Sequence, residues 1–373
     1  MGRTSSSCLT AVMAGILVCV AAVGTRRGGS DARGVTAHRI TFRGNDGSIE
    51  LSGVIYRPRV YDVAKVGRYA AVVMMHGCSG IWSERVVGNQ NPDGTPNLQN
   101  NIEKWGIKLA ESNIVALAVD SFTPRQPVDV TSSEEWQNQC SDNAGRYAGV
   151  VNPYTERVQD ARAAWEYLNA MPEIDGARIG LLGWSHGAQS VMVEVAETGR
   201  DSNEPRAESD HKFLCSVAFY PGCGVNLGFG PSVSRSFWRP FRPMQLHMGV
   251  CDPFYKNCVT RKNLAVTQYS KPVLFSEYHG ARHHFDACQQ TWPTSPTSIN
   301  FSEPVHDVCS PSSSSADKRA MRCADIAALE FFLSRLKGAA IEDVKDAPHE
   351  CCMIGFLRRL STVLTCTCGT NFT

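Results

Sequence analysis

Arg178-Ile179-Gly180-Leu181-Leu182-Gly183-Trp184-Ser185-His186-Gly187-Ala188 is an apolar strand that runs straight into G-x-S-x-G, and a helical segment, Gln189 to Glu197, follows it. A strand that turns this sharply into a helix lifts a serine hydroxyl clear of the sheet edge, where it can attack a carbonyl. Gly183 and Gly187 carry no Cβ, so strand and helix can approach closely around a strained turn. The first amides of the helix point at the same spot, which suits a developing negative charge.

A serine is a poor nucleophile until a base takes its proton, and the base needs an orienting acid. Downstream of Ser185, Pro243–Gly249 reads as a strand with Val250-Cys251-Asp252-Pro253 as its exit loop. Asp252 therefore sits at the carboxyl end of a strand, where catalytic groups gather in open α/β sheets. Pro272–Tyr278 reads as the next strand, and the loop after it, His279-Gly280-Ala281-Arg282-His283-His284-Phe285, holds three histidines, of which His283 is favoured as base. Asp210 and Asp286 also follow the serine, but neither directly ends a strand. Upstream, the apolar run Tyr69–Met75 leads into His76-Gly77-Cys78-Ser79-Gly80. The amides of Cys78 and of His186, the residue after the nucleophile, are the expected oxyanion donors. Cys78 follows the wrong strand for a nucleophile and has no elbow.

Around these motifs the chain alternates strand and helix. His38–Phe42 and Ile49–Tyr56, joined by Asn45-Asp46-Gly47, read as a hairpin. Strands are predicted near 69–75, 114–120, 178–184, 213–220, 243–249 and 272–278, and helices near 101–112, 155–171, 187–197 and 317–336. Val158, Ala161, Ala164, Trp165 and Leu168 share one face of the second helix, as a helix covering a sheet requires. The expected fold is α/β: a mostly parallel central sheet flanked by helices, with a leading antiparallel hairpin. Polar loops near 81–100, 126–154 and 286–316 interrupt it. The first two open on the catalytic edge, so Trp82, Trp136 and Tyr147 are candidate walls for an apolar acyl or aromatic group. As readily, they are aromatic anchors of surface loops. Arg125 has the chemistry to pair with a substrate carboxylate, and equally with a structural acid.

His76-Gly77-Cys78-Ser79-Gly80, Val119-Asp120-Ser121-Phe122-Thr123-Pro124-Arg125, the Gly183–Gly187 elbow, Gly249-x-x-Asp252 and Tyr278-x-Gly280-Ala281-x-His283-x-Phe285 together resemble the dienelactone hydrolase family of the α/β-hydrolases. The resemblance covers roughly residues 40 to 336 and singles out His283 among the three loop histidines. It implies a hydrolase acting on a small-molecule ester, lactone or similar acyl bond, through Ser185, His283 and Asp252, without a cofactor or metal. The founding members carry cysteine where this chain has Ser185, and a glutamate in the first oxyanion loop where it has Gly77. Both departures shift the implied activity from dienelactone toward ester hydrolysis by a serine mechanism. A peptidase or acyltransferase on the same triad is the nearest alternative. A non-catalytic binding protein on the same scaffold is the other, and it would predict a broken triad.

Composition frames rather than decides. With 373 residues, 43% hydrophobic and 20% charged, the chain has the makeup of an ordinary soluble globular protein. A net charge of +1 gives no sign of nucleic-acid binding. Residues 1–24, with the apolar run Leu9–Val23, read as a signal peptide, leaving no stable membrane span after cleavage. Arg26 and Arg27 just beyond keep an uncleaved membrane anchor as the alternative. Residues 25–37 read as a linker, 38–337 as one catalytic domain and 338–373 as a cysteine-containing extension, disulfide-stapled or poorly ordered. Fifteen cysteines are many for a reducing cytosol, so a secreted or periplasmic location with disulfides is expected. Cys251 with Cys258, Cys215 with Cys223, and Cys288 with Cys309 or Cys323 are the pairings considered.

Overall fold

The computed structural model describes residues 34–45, 47, 49–58, 64, 67–83, 87–125, 151–286, 314–338 and 365–367. The leader, Trp136, Tyr147 and the proposed bridges of Cys288 lie outside the described residues. Strands β1 (Val35–Arg43) and β2 (Glu50–Pro58) form the expected hairpin, antiparallel from Val35 opposite Pro58 to Arg43 opposite Glu50. Strand β2 also runs antiparallel to β4 (Ile114–Asp120). Beyond it the sheet is parallel, through β3 (Tyr69–Met75), β5 (Ile174–Trp184), β6 (Cys215–Phe219), β7 (Met244–Gly249) and β8 (Val273–Tyr278). Three residues of the C-terminal extension, β9 (Thr365–Thr367), pair parallel with β8 at the far edge. Every residue of β3 and β4 is buried, as central strands covered on both faces must be.

The strand period of two sorts the helices between the faces of β5. A side chain at Gly180 would meet Phe332 and Leu336 of α5 (Ser314–Leu336). One at Gly183, on the opposite face, would meet α3 (His186–Glu194). Helix α2 (Glu156–Asn169) packs beside α3, and Arg162 of α2 binds Glu194 of α3 at 2.8 Å. On the α5 side, Lys104 and Lys108 of α1 (Asn100–Glu111) hold Asp325 at 3.1 and 3.3 Å.

Helix α4 (Tyr255–Tyr269) was not foreseen from the sequence. Its buried positions are Cys258, Arg261, Lys262 and Ala265, so the inward stripe has helical spacing but little apolar character. Arg261 makes that stripe possible. Its guanidinium donates to the carbonyls of Cys223, Gly224 and Gly228 at 2.8, 2.8 and 2.9 Å and to Ser236 Oγ at 2.6 Å. Strand β5 also begins at Ile174, earlier than predicted, where a register irregularity between Tyr69 and Ala71 lets it follow β3.

The same helix carries the main correction to the cysteine pairing. Cys258 is bonded to Cys223, with Cα atoms 5.0 Å apart, and not to Cys251. Cys215 is a buried free thiol, so it does not pair with Cys223. Cys78, Cys251 and Cys323 are disulfide-bonded as well. The Cys223–Cys258 bridge closes a loop with a sequence separation of 35, which in the chain-entropy model is worth about 4 kcal/mol. Peptide mapping without reductant should recover a Cys223–Cys258 cross-link, and the double serine variant should lose roughly 2–4 kcal/mol in denaturant melts. A Cys251–Cys258 cross-linked peptide would overturn this arrangement.

Candidate active site

Met75 is in register with Gly183, Trp184 with Phe219, Phe219 with His247, and Gly249 with Tyr278, so the carboxyl ends of five strands form one ledge. Ser185 stands on it between β5 and α3 with φ +49° and ψ −113°, a strained conformation for a residue bearing a Cβ. Its amide donates to the Phe219 carbonyl at 3.0 Å and its carbonyl receives Gln189 N–H at 3.0 Å. The backbone of the serine is thus tied to strand and helix at once, and only its side chain is free to act. The turn depends on Gly187. A Cβ there would lie 2.1 Å from the Met75 carbonyl oxygen and 2.5 Å from that of His76.

Ser185 Oγ lies 2.9 Å from His283 Nε2, and His283 Nδ1 lies 2.6 Å from Asp252 Oδ2. A carboxylate can only accept, so Nδ1 carries the hydrogen and Nε2 is left to take the serine proton. The other oxygen of Asp252 receives Phe254 N–H at 2.8 Å. The residue of the Asp-Pro turn and the candidate orienting acid are therefore one and the same. The Asp252 side chain is fully buried and that of His283 is 21% exposed, so the candidate acid is screened while the candidate base is partly open.

The loops bearing acid and base are joined by backbone. Val250 N–H donates to the Tyr278 carbonyl at 3.0 Å and Cys251 N–H to that of Ala281 at 2.9 Å. Gly249 permits this approach, since a Cβ there would stand 2.4 Å from the Ala281 carbonyl oxygen. Asp317 of α5 holds Arg282 by its amide at 2.9 Å and by its guanidinium at 2.6 Å. Behind the base, the buried Asp286 receives Trp184 Nε1–H at 2.8 Å and the Tyr220 hydroxyl. Sequence reasoning passed Asp286 over because it ends no strand. Its position three residues after His283 was the only available signal.

The candidate oxyanion loop is organised by His76. The Gly77 carbonyl, an acceptor only, lies 2.6 Å from His76 Nδ1, and Ser121 N–H, a donor only, lies 3.3 Å from His76 Nε2. This fixes the tautomer with hydrogen on Nδ1. In a trans peptide the carbonyl and N–H point oppositely. Holding the Gly77 carbonyl therefore turns the Cys78 amide away from the ring. Arg157 of α2, which the sequence reading did not single out, is fully buried beside these groups. It donates to the His76 carbonyl and to His186 Nδ1, both at 2.6 Å.

Two candidate substrate contacts fall elsewhere. Trp82 is 1% exposed and donates its indole N–H to Asp120 at 2.7 Å, so it anchors the loop and lines no substrate wall. Arg125 grips both oxygens of Asp160, at 2.8 and 2.7 Å, and also the Ser121 carbonyl at 2.8 Å. Its partner is a structural acid, which takes the end-on face of the guanidinium. Arg125→Met should therefore strip Asp160 of its cation at a cost of about 3 kcal/mol and leave the KM for an anionic substrate unchanged. A raised KM with an unchanged melt would restore the substrate role.

The site is also built on neutral histidines. Burial, reinforced by the Arg157 charge, pushes His76 and His186 well below the usual histidine range. Burial does the same to His284, with His283 adding to it, and takes His247 down to about 3. The unfolded chain protonates these rings near pH 6.5, the folded chain only at much lower pH. The stability they confer is complete above about pH 6.5 and is lost as pH falls toward the folded values. In that window each ring contributes about 1.4 kcal/mol per pH unit. Melting temperatures should therefore drop steeply between pH 7 and 5, with several protons taken up on unfolding. A flat profile would contradict these assignments.

No protein-family model matches this sequence. Among curated proteins, the chain is 26% identical over 152 residues to the uncharacterized protein YcjY of Escherichia coli (strain K12), across 40% of this chain and 38% of that protein. Among solved structures, a putative dienelactone hydrolase from Klebsiella pneumoniae subsp. pneumoniae MGH 78578 superposes with a TM-score of 0.51 at 12% identity, over 82% of this chain and 99% of that one. A puromycin hydrolase gives a TM-score of 0.50 at 16% identity, over 83% of this chain and 40% of the other. Porphyromonas gingivalis dipeptidyl peptidase 4 gives 0.45 at 18% identity, over 66% and 32%. The chain thus spans less than half the length of these two larger proteins and of the curated relative. It has the α/β-hydrolase fold, and dienelactone hydrolase-like proteins are among the solved structures that share that fold.

Proposed function

We propose that the protein is a serine hydrolase that cleaves a carboxylic ester or lactone of a small molecule through an acyl-enzyme. The observation that carries this reading is the unbroken chain from Ser185 Oγ through His283 to Asp252, with links of 2.9 and 2.6 Å. It stands on a strand–turn–helix whose serine has φ +49°. A binding protein on this scaffold would have no need to keep a strained serine against a base.

In the proposed reaction Ser185 Oγ attacks the acyl carbon while His283 Nε2 takes its proton. Asp252 holds the imidazole by Nδ1–H and stabilises the imidazolium. The amides of Cys78 and His186 receive the oxyanion, at the end of α3 where first-turn N–H groups have no carbonyl within the helix. His283 then protonates the leaving alkoxide. Water attacks the acyl group by the same route, and Ser185 is restored. Cys78 takes part only through its backbone, because its sulfur is in a disulfide.

The disulfides support work in an oxidising compartment, outside the cell or in the periplasm. Cys223 with Cys258, together with bonded Cys78, Cys251 and Cys323, exceeds what a reducing cytosol normally sustains. Among the described residues no helix is long and apolar enough to cross a membrane.

Incubation with a fluorophosphonate followed by peptide mapping should give a single adduct on Ser185. p-Nitrophenyl esters of rising acyl length and a lactone should turn over, with matched anilides far slower. Ser185→Ala should lower kcat by on the order of a million-fold with little change in the thermal melt. Wild-type turnover by that variant would refute the assignment, and anilides cleaved as fast as esters would move it to a peptidase.

A further inference from the structure

We infer that Arg157 is a positioning residue that holds the two amides of the oxyanion pocket in register with each other, an inference that rests on the serine-hydrolase reading above. The two donors come from segments far apart in sequence. Cys78 lies in the loop after β3, and His186 opens the helix after β5. One guanidinium reaches both. Its Nη2 donates to the His76 carbonyl and its Nη1 to His186 Nδ1, each at 2.6 Å. His76 passes the constraint on through its Nδ1–H, which holds the Gly77 carbonyl at 2.6 Å and thereby sets the direction of the Cys78 amide.

The planar group is also kept from rotating. Phe122 lies 5.3 Å from its central carbon, and the same ring meets His76 at 4.5 Å and His186 at 5.9 Å, both edge-on. The clamp is thus built by three segments, the turns after β3, β4 and β5, and by α2. The loop Asp120–Arg125 supplies Phe122 and the Ser121 amide that fixes His76.

The energetics argue against a merely structural cation. A buried guanidinium is costly, and good packing by an apolar side chain is often as stable or more so. Here the obvious neutralising acid, Asp160, gives both carboxylate oxygens to Arg125 instead. Arg157 Nε has no hydrogen-bond partner among the described residues. Asp160 and Asp120 stabilise the charge only through space, and its direct hydrogen bonds go to two neutral acceptors, both in segments that carry the proposed oxyanion donors. Burial lowers the pKa of Arg157 to about 9, so it remains cationic at neutral pH. A lysine would keep the charge, but a single ammonium on a flexible stem lacks the planar fork that spans both acceptors.

The test uses the full chain, with wild type, Arg157→Lys and Arg157→Met compared per fluorophosphonate-titrated Ser185. A p-nitrophenyl ester gives kcat and KM, and an alkyl trifluoromethyl ketone, which forms a hemiketal oxyanion on the serine, gives Ki. Arg157→Met should lose about 100-fold in kcat per titrated site, the scale of one misplaced oxyanion donor. KM should stay within about threefold, and Ki should rise by the same factor by which kcat/KM falls. Arg157→Lys should fall between. It carries the test alone if the methionine variant does not fold. Variants that melt earlier and titrate to a smaller fraction, yet keep wild-type kcat and Ki per site, would reduce Arg157 to a structural residue. A lysine variant at wild-type kcat would show that charge, not the two-point clamp, matters. Absence of both labelling and turnover in the wild type would remove the hydrolase reading itself, and this inference with it.

Discussion

Between helix α3 and the end of β3 there is no space for a methyl group, and the geometry of the site follows from that contact. With Gly187 pressed against the Met75 and His76 carbonyls, the turn between β5 and α3 has one shape open to it, and Ser185 must take a left-handed φ. The same contact brings the His76–Cys78 loop beside the helix that starts at His186. The nucleophile and the segments that carry both candidate oxyanion amides are therefore brought together by one backbone approach, and the fine register between those segments is left to side chains. The parallel register does the remaining coarse work, because it brings Gly249 and Tyr278, and hence the acid and base loops, to the same ledge.

How much of this was legible follows from what a sequence can display. The central strands are continuous apolar runs, and the helices that cover them repeat at helical spacing, so the sheet and most of its helices could be read off. The elbow, the exit-loop aspartate and the histidine loop were legible because each pairs a residue type with a strand end. Helix α4 was not, because its inward face is Cys258, Arg261, Lys262 and Ala265 and its partners are carbonyls of a loop 33 to 38 residues earlier. Trp82 and Arg125 illustrate the converse. An aromatic or a cation in a polar loop looks the same whether it faces substrate or a buried acid. The acids concerned, Asp120 and Asp160, are 38 and 35 residues away. Arg157 was hidden by phase. The apolar stripe of α2 was read from Val158, whereas the buried stripe also includes Arg157 and Asp160.

The two buried arginines show that burial alone does not define a role. Arg261 binds four oxygens, three of them carbonyls of a single loop, and it lies in the part of the fold stapled by Cys223–Cys258. Its contacts stay within one region, and its loss would loosen that region. Arg157 has fewer contacts, and they connect different regions: one arm on the segment after β3, the other on the segment after β5. A group that satisfies one loop stabilises it. A group that spans two fixes the distance between them, and distance is what an oxyanion pocket requires.

The candidate base, His283, is restrained to a similar degree. Around His283, Ala281 accepts from Cys251, Arg282 is held by Asp317, and Asp286 is bound by Trp184 and Tyr220. His284 takes φ +62°, a cost accepted only where neighbours on both sides dictate the backbone. Trp184 directly precedes Ser185, so the anchor behind the base and the nucleophile itself sit on adjacent residues of β5. The 2.9 Å between Ser185 Oγ and His283 Nε2 is thus set by a short path through Trp184 and Asp286, independent of the path through Asp252. Two such paths leave the imidazole little freedom to reorient. A base held in this way needs little rearrangement when charge develops, and a preorganised polar site stabilises charge better than water does for that reason.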